Sequence, residues 1–161
     1  MSDAALELRG IARRFGRRWV LRGIDLEAAA GEAIGLTGRN GSGKTTLLRI
    51  CATLLRPSRG EGRIFGVSIG SDAAAIRERI GILAHDAGLY GNLTAAENLV
   101  FAQRMAGHRV DRAAIAGALG EVGLAQEAEE RVRGFSAGMR RRLALARLLL
   151  RPPDLLLLDE P

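Results

Sequence analysis

Of the 24 basic residues in this 161-residue chain, 23 are arginines and one is a lysine, Lys44. That lysine stands in Gly38-Arg39-Asn40-Gly41-Ser42-Gly43-Lys44-Thr45-Thr46. The apolar run Ala33-Ile34-Gly35-Leu36-Thr37 leads in, and Leu47, Leu48 and Ile50 follow. Strand, glycine-rich loop and helix, in that order, is the context in which G-x-x-x-x-G-K-[ST] forms a phosphate cradle. Gly38, Gly41 and Gly43 let the backbone turn and approach an anion closely. The helix N-terminus adds its dipole and its free N–H groups. An ammonium on a flexible stem suits such a cradle, whereas the arginine guanidinium is a planar fork. The order commits the chain to an α/β architecture.

Apolar residues make up 47% of the sequence and aromatics 4%, so the core is built mainly from Leu, Ile, Val and Ala. The net charge of +6 reads as an arginine-rich, solvated surface. Basic residues cluster at Arg13-Arg14, Arg17-Arg18 and Arg140-Arg141-Arg142. The last cluster has no interleaved aromatics, as a base-stacking surface would want, so no nucleic-acid partner is expected. The one cysteine, Cys51, excludes an internal disulfide and falls in an apolar run as a small buried hydrophobe. The compartment reads as reducing. No apolar run reaches the roughly 18 residues of a membrane span, and no signal-peptide core opens the chain. A membrane role would run through a partner.

Along the chain, Leu6-Glu7-Leu8 and Val20 to Leu26 alternate as strands around turn-like Gly16 and Gly23. Ala33 to Thr37 reads as a strand, and a helix is expected from Lys44 to about Leu55, before Pro57. Arg63-Ile64-Phe65 and Ile80 to Leu83 read as strands, with a helix over Ala73–Arg79. Thr94-Ala95-Ala96-Glu97 is a capping box opening a helix toward Met105. Asp111 caps a helix to about Val122, and Ser136 caps one ending near Leu150. Asp154 to Leu158 reads as a fully buried strand.

That last strand ends in Asp159-Glu160-Pro161. A buried parallel strand ending in an acid puts the acid at the carboxyl edge of the sheet, where ligands bind. There Asp159, with the Thr45 hydroxyl, suits Mg²⁺, and Glu160 suits a base toward water. Ser136-Ala137-Gly138-Met139 opens an arginine-rich helix. Taken alone it is as well read as an ordinary cap as an anion site.

Together these motifs resemble the nucleotide-binding domain of ATP-binding cassette (ABC) transporters over the whole chain. Gly38–Thr45 is similar to the Walker A loop, Leu155–Glu160 to Walker B, and Ser136–Met139 to the signature usually written L-S-G-G-Q. The resemblance implies a P-loop NTPase fold: a RecA-like parallel core, an N-terminal antiparallel β lobe, and a helical lobe at about 93–142 within one domain, 1–161. It implies ATP and Mg²⁺ as ligands, a membrane permease as partner, and a second cassette docked head-to-tail on the cytoplasmic face. Ser136 and Gly138 would then touch the nucleotide of the opposite subunit. Phe15 lies where the family places an aromatic against adenine. His85 stands where a glutamine usually senses metal and γ-phosphate. The segments Ala52–Pro57, Leu93–Leu99 and Phe135–Met139 resemble the haem-exporter ATPases of cytochrome c maturation.

The chain departs from the pattern at Phe135 for leucine, Ala137 for glycine, Met139 for glutamine and His85 for glutamine. Both histidines, His85 and His108, precede Walker B, so neither fills the family's switch histidine. The expectation is a truncated domain, its C-terminal part absent, with weak nucleotide binding and poor turnover alone. Two other readings stay open. One is a soluble cassette ATPase acting on nucleic acid or ribosomes; the other is a non-hydrolysing nucleotide-binding module.

Overall fold

The computed structural model describes residues 4–70, 73–84 and 88–159. They fall into two units: the described residues from 4 to 82 with 154–159, and those from 83 to 153.

In the first unit, β1 (Ala4–Phe15) and β2 (Arg18–Ala29) form a long antiparallel hairpin. β3 (Arg59–Ile64) pairs with the other edge of β1, and β4 (Val67–Ser68) with β3, giving the order β2-β1-β3-β4. Gly16 lies in the hairpin turn, as the sequence suggests. Gly23 does not end a strand: it is the extra residue where the register jumps from Ile11↔Ile24 to Ala12↔Arg22. A second bulge at Gly10 is pinned by its N–H donating to Asp25 Oδ1 at 2.7 Å. Bulges of this kind increase the local twist of the pair.

Helix α1 (Lys44–Cys51) follows the glycine loop and lays Leu47, Ile50 and Cys51 into the core with Leu8, Ile11, Leu21, Ile64 and Leu157. It ends four residues short of Leu55, because Thr53 turns to φ 57 and the amides of Leu54 and Leu55 both return to Arg49 O. Residues 33–37 are not a strand; among the described residues they make no ladder hydrogen bonds, and most are exposed. Phe65 is likewise not in β3. It sits with Gly66 in the two-residue turn to β4, at φ 50 and 77.

After α2 (Ala73–Arg77) come β5 (Ile80–Leu83) and, far along the chain, β6 (Leu155–Leu158), which pair. The amides of Asp154 and Leu155 both donate to Arg79 O, at 2.9 and 3.1 Å. The two strands therefore start side by side and run parallel. β6 is not fully buried: Leu157 is 6% exposed, but Leu156 is 48% and Leu158 42% exposed. Only one face of the strand is covered by the described core.

The second unit is helical: α3 (Ala95–Met105), α4 (Arg112–Glu121) and α5 (Ala137–Leu149) enclose Leu99, Ile115, Leu119, Leu124, Val132, Phe135 and Leu143. Each helix begins at the capping residue the sequence marks. Thr94 and Glu97 form a complete capping box, Asp111 accepts from Ala113 N and Ala114 N, and Ser136 accepts from Met139 N. Arg142 donates to the carbonyls of Val122 and Gly123, closing the C-terminal end of α4. Among the described residues of this unit, Asn98 is the buried polar one. Its amide accepts from Tyr90 N and donates to the carbonyls of Tyr90 and Thr94 at 2.8–3.0 Å, with a longer contact to Leu93 O.

Candidate functional site

The loop between residues 38 and 44 is shaped by what cannot fit there. Gly43 takes φ 104 at the start of α1. A Cβ at this position would stand 2.7 Å from Leu21 Cδ2 and 3.2 Å from Val20 O, so glycine is required on both counts. No side chain caps α1, which leaves its first N–H groups for whatever occupies the loop. Ser42 N donates to Arg39 O at 3.1 Å, closing a turn. Lys44 Nζ donates to Gly38 O at 2.7 Å and Arg39 O at 3.2 Å. The ammonium is folded over the carbonyls of its own loop. Gly43 is buried, Lys44 and Thr46 are half-buried, and the tip from Arg39 to Ser42 is exposed.

Beside the lysine, Thr45 Oγ1 donates to Asp159 Oδ1 at 3.0 Å. α1 positions the threonine and β6 delivers the aspartate. The pair is a hydroxyl next to a carboxylate, an all-oxygen donor set that fits Mg²⁺. Among the described residues no group of three or more His, Cys, Asp or Glu could hold a metal alone. A Mg²⁺ here would take its remaining ligands from phosphate oxygens and water, as this ion prefers. Glycine loop, uncapped helix start, lysine and hydroxyl–carboxylate pair together define a P-loop nucleotide-binding domain.

The other residues singled out from the sequence fall in several places. Phe15 ends β1, paired with Arg18, and is 47% exposed. The Arg13 guanidinium lies 4.7 Å from the centroid of its ring. Two residues past Arg18, β2 packs on Gly43 through Val20 and Leu21. In the helical unit, Ser136, Ala137 and Gly138 form the exposed start of α5, Met139 is half-buried, and Phe135 is buried beneath them. His85 and Glu160 lie outside the described residues.

No acidic residue occurs between Glu32 and Glu61, a stretch that holds the loop, Lys44 and four arginines. Among the described residues, two groups are shifted from their ordinary values. Burial pushes the Cys51 thiol up to about 12, which makes it inert, and burial lowers Arg147.

The sequence matches the ABC transporter family over residues 21–161. It is 40% identical over 161 residues to the cytochrome c biogenesis ATP-binding export protein CcmA 2 of Cupriavidus metallidurans, covering all of this chain and 76% of that protein. It is 41% identical over 163 residues to the daunorubicin resistance ATP-binding protein DrrA3 of Streptomyces coeruleorubidus, covering 100% of this chain and 52% of that protein. A bacterial Atm1-family ABC exporter solved with ATP bound aligns at TM-score 0.84 and 26% identity, over 99% of this chain and 30% of that one. The chain belongs to the ABC transporter family, among its ATP-binding subunits. It spans about three quarters of the CcmA relative and about half of DrrA3.

Proposed function

We propose that this chain binds Mg·ATP at the loop and, as part of its whole protein, hydrolyses it to drive transport through a separate membrane subunit. The Thr45–Asp159 contact carries the reading, because it puts a metal-type donor pair beside the only lysine. In this reading Lys44 and the amides of residues 38–46 hold the phosphates, with Thr46 adding a hydroxyl. Thr45 and Asp159 hold Mg²⁺, which when bound offsets charge on the phosphate oxygens. Phe15 offers a ring face to adenine. Glu160 takes the proton from the attacking water, and His85 accepts from a water near the metal. Catalysis is then chiefly positioning and charge stabilisation.

Ser136, Ala137, Gly138 and Met139 complete the site of a second cassette docked head-to-tail. The permease partner has a candidate seat in the helical unit. A groove of about 590 Å³ between α3 and α4 is floored by Leu93, Val100, Phe101 and Ile115 and edged by Glu97 and Arg112. None of the described helices is long and apolar enough to cross a membrane, which fits a subunit held at the cytoplasmic face by its partner. Kinship with CcmA 2 supports export in cytochrome c biogenesis; haem as the cargo rests on the resemblance of residues 52–57, 93–99 and 135–139 to the haem-exporter ATPases.

Titration with a fluorescent ATP analogue, with Mg²⁺ and with EDTA, tests the core of this reading. Saturable binding strengthened by Mg²⁺ is expected, and no binding in either condition would overturn it. Restoration of cytochrome c maturation in cells lacking their own export ATPase, using the whole protein, tests the cargo.

A further inference from the structure

β6 is four leucines, Leu155 to Leu158, flanked by Asp154 and Asp159. In most strands the register is set by the side chains, since a one-residue slip sends the core residues to the wrong face. Here a slip replaces leucine with leucine, so the strand interior carries no register information. Yet Asp159 meets Thr45 at 3.0 Å, and one residue of slip moves a strand by about 3.3 Å. Something at an end of β6 must fix it.

The candidate at the entry is Arg79. Its carbonyl takes the amides of both Asp154 and Leu155, at 2.9 and 3.1 Å. Its Nε donates to Asp154 Oδ2 at 2.6 Å. Its guanidinium also lies 3.8 Å from the centroid of Phe65. Phe65 occupies a left-handed turn position at φ 50, where an aromatic residue is a rare choice. The stack gives the ring a partner and fixes the arginine from its other side. With the two charged side chains about half exposed, the ion pair adds little to stability by itself. Its content is geometric: it distinguishes Asp154 from the leucines that follow.

We propose that Arg79, steadied by Phe65, is a positioning residue that sets the register of β6 through Asp154 and so delivers Asp159 to Thr45. This rests on the Mg·ATP reading of the site. Among the described residues no hydrogen bond or ion pair joins Arg79 to Thr45 or the loop; it acts through the strand.

The test compares the wild-type chain with Arg79→Met, Arg79→Lys, Asp154→Arg and the exchange Arg79→Asp/Asp154→Arg. Two quantities are read: the gain in ATP-analogue affinity on adding Mg²⁺, and nucleotide-free hydrogen exchange at the Leu155–Leu158 amides. Arg79→Met is expected to keep its affinity in EDTA within about twofold, to lose at least about fivefold of the Mg²⁺ gain, and to exchange faster in β6. Arg79→Lys and the exchange variant should recover part of both, while Asp154→Arg alone should not. An Arg79→Met chain with the full Mg²⁺ gain and unchanged β6 protection overturns the proposal. So does a loss of affinity that is equal in EDTA and Mg²⁺, which marks general damage. If wild type shows no Mg²⁺ gain while Arg79→Met still loosens β6, the nucleotide reading falls and the register assignment stands supported.

Discussion

Thr45 and Asp159 lie 114 residues apart in sequence, and the threonine hydroxyl donates to the aspartate carboxylate at 3.0 Å. One sits on the first turn of the helix behind the glycine loop, and the other on the residue after a four-leucine strand. In the nucleotide reading the two act as one donor set, so their removal is not additive. Thr45→Val and Asp159→Asn should each weaken Mg·ATP binding by about 1.5–3 kcal/mol, the usual cost of losing a bond to a charged group. The double variant should lose little more than the worse single one. In EDTA all four proteins should converge. Isothermal titration decides it, and full additivity would mean the two groups serve separate ends.

Lys44 gives a second expectation. Its ammonium now rests on the Gly38 and Arg39 carbonyls, inside the span of a turn that leaves room for a point charge. Lys44→Arg keeps the charge and brings a wider planar fork. It should bind nucleotide at least about tenfold less tightly, close to Lys44→Ala, with thermal stability near that of wild type. Arginine performing as well as lysine would show that charge alone is enough and that loop shape is not the constraint.

What the sequence could and could not disclose follows from the range of each signal. Thr94, Asp111 and Ser136 are legible because a cap is a contact between a side chain and an amide two or three residues on. The end of α1 is not, since Thr53 adopts φ 57 where pattern alone points to glycine. Residues 33–37 have the composition of a strand, but a strand is a relation to a neighbour, and no neighbour pairs with them among the described residues. β6 looks fully buried as a run of leucines; burial depends on what covers each face, and Leu156 and Leu158 are left half open. The meeting of Thr45 and Asp159 was foreseeable from motif order. The Arg79–Asp154 contact was not, because each residue alone is an ordinary charge beside a strand.

Asn98 offers a test of the helical unit alone. At 4% exposure its amide satisfies both backbone groups of Tyr90 and also reaches the carbonyls of Leu93 and Thr94. Asn98→Leu is close in volume and removes every one of these bonds. The Tyr90 carbonyl keeps its bond from Leu93 N, so the stranded Tyr90 amide alone should cost about 1–3 kcal/mol in urea denaturation, the penalty of one orphaned buried group. Asn98→Asp keeps the acceptor for Tyr90 N, loses the donors and adds a buried charge, so its deficit should shrink as the pH falls and the carboxyl becomes protonated. A neutral Asn98→Leu would mean that water replaces the amide without loss.

Cys51 makes the pH dependence of the first unit calculable in sign. Burial holds its thiol neutral up to about 12, against 9.0 for an ordinary thiol. Below pH 9 both folded and unfolded chains keep the proton, and the contribution is whole. Between pH 9 and 12 the unfolded chain releases a proton that the fold retains, so stability falls as pH rises. The slope from this one group is at most about 1.4 kcal/mol per pH unit. Cys51→Ala should start lower near pH 7, by about 1 kcal/mol for the small cavity at a site 2% exposed. It should then decline less steeply through the alkaline range, so the two stability curves approach one another. Denaturant titrations at pH 8, 9, 10 and 11 read this directly. Parallel curves for wild type and Cys51→Ala would show that the thiol ionises without opening the core, and the burial argument would fail.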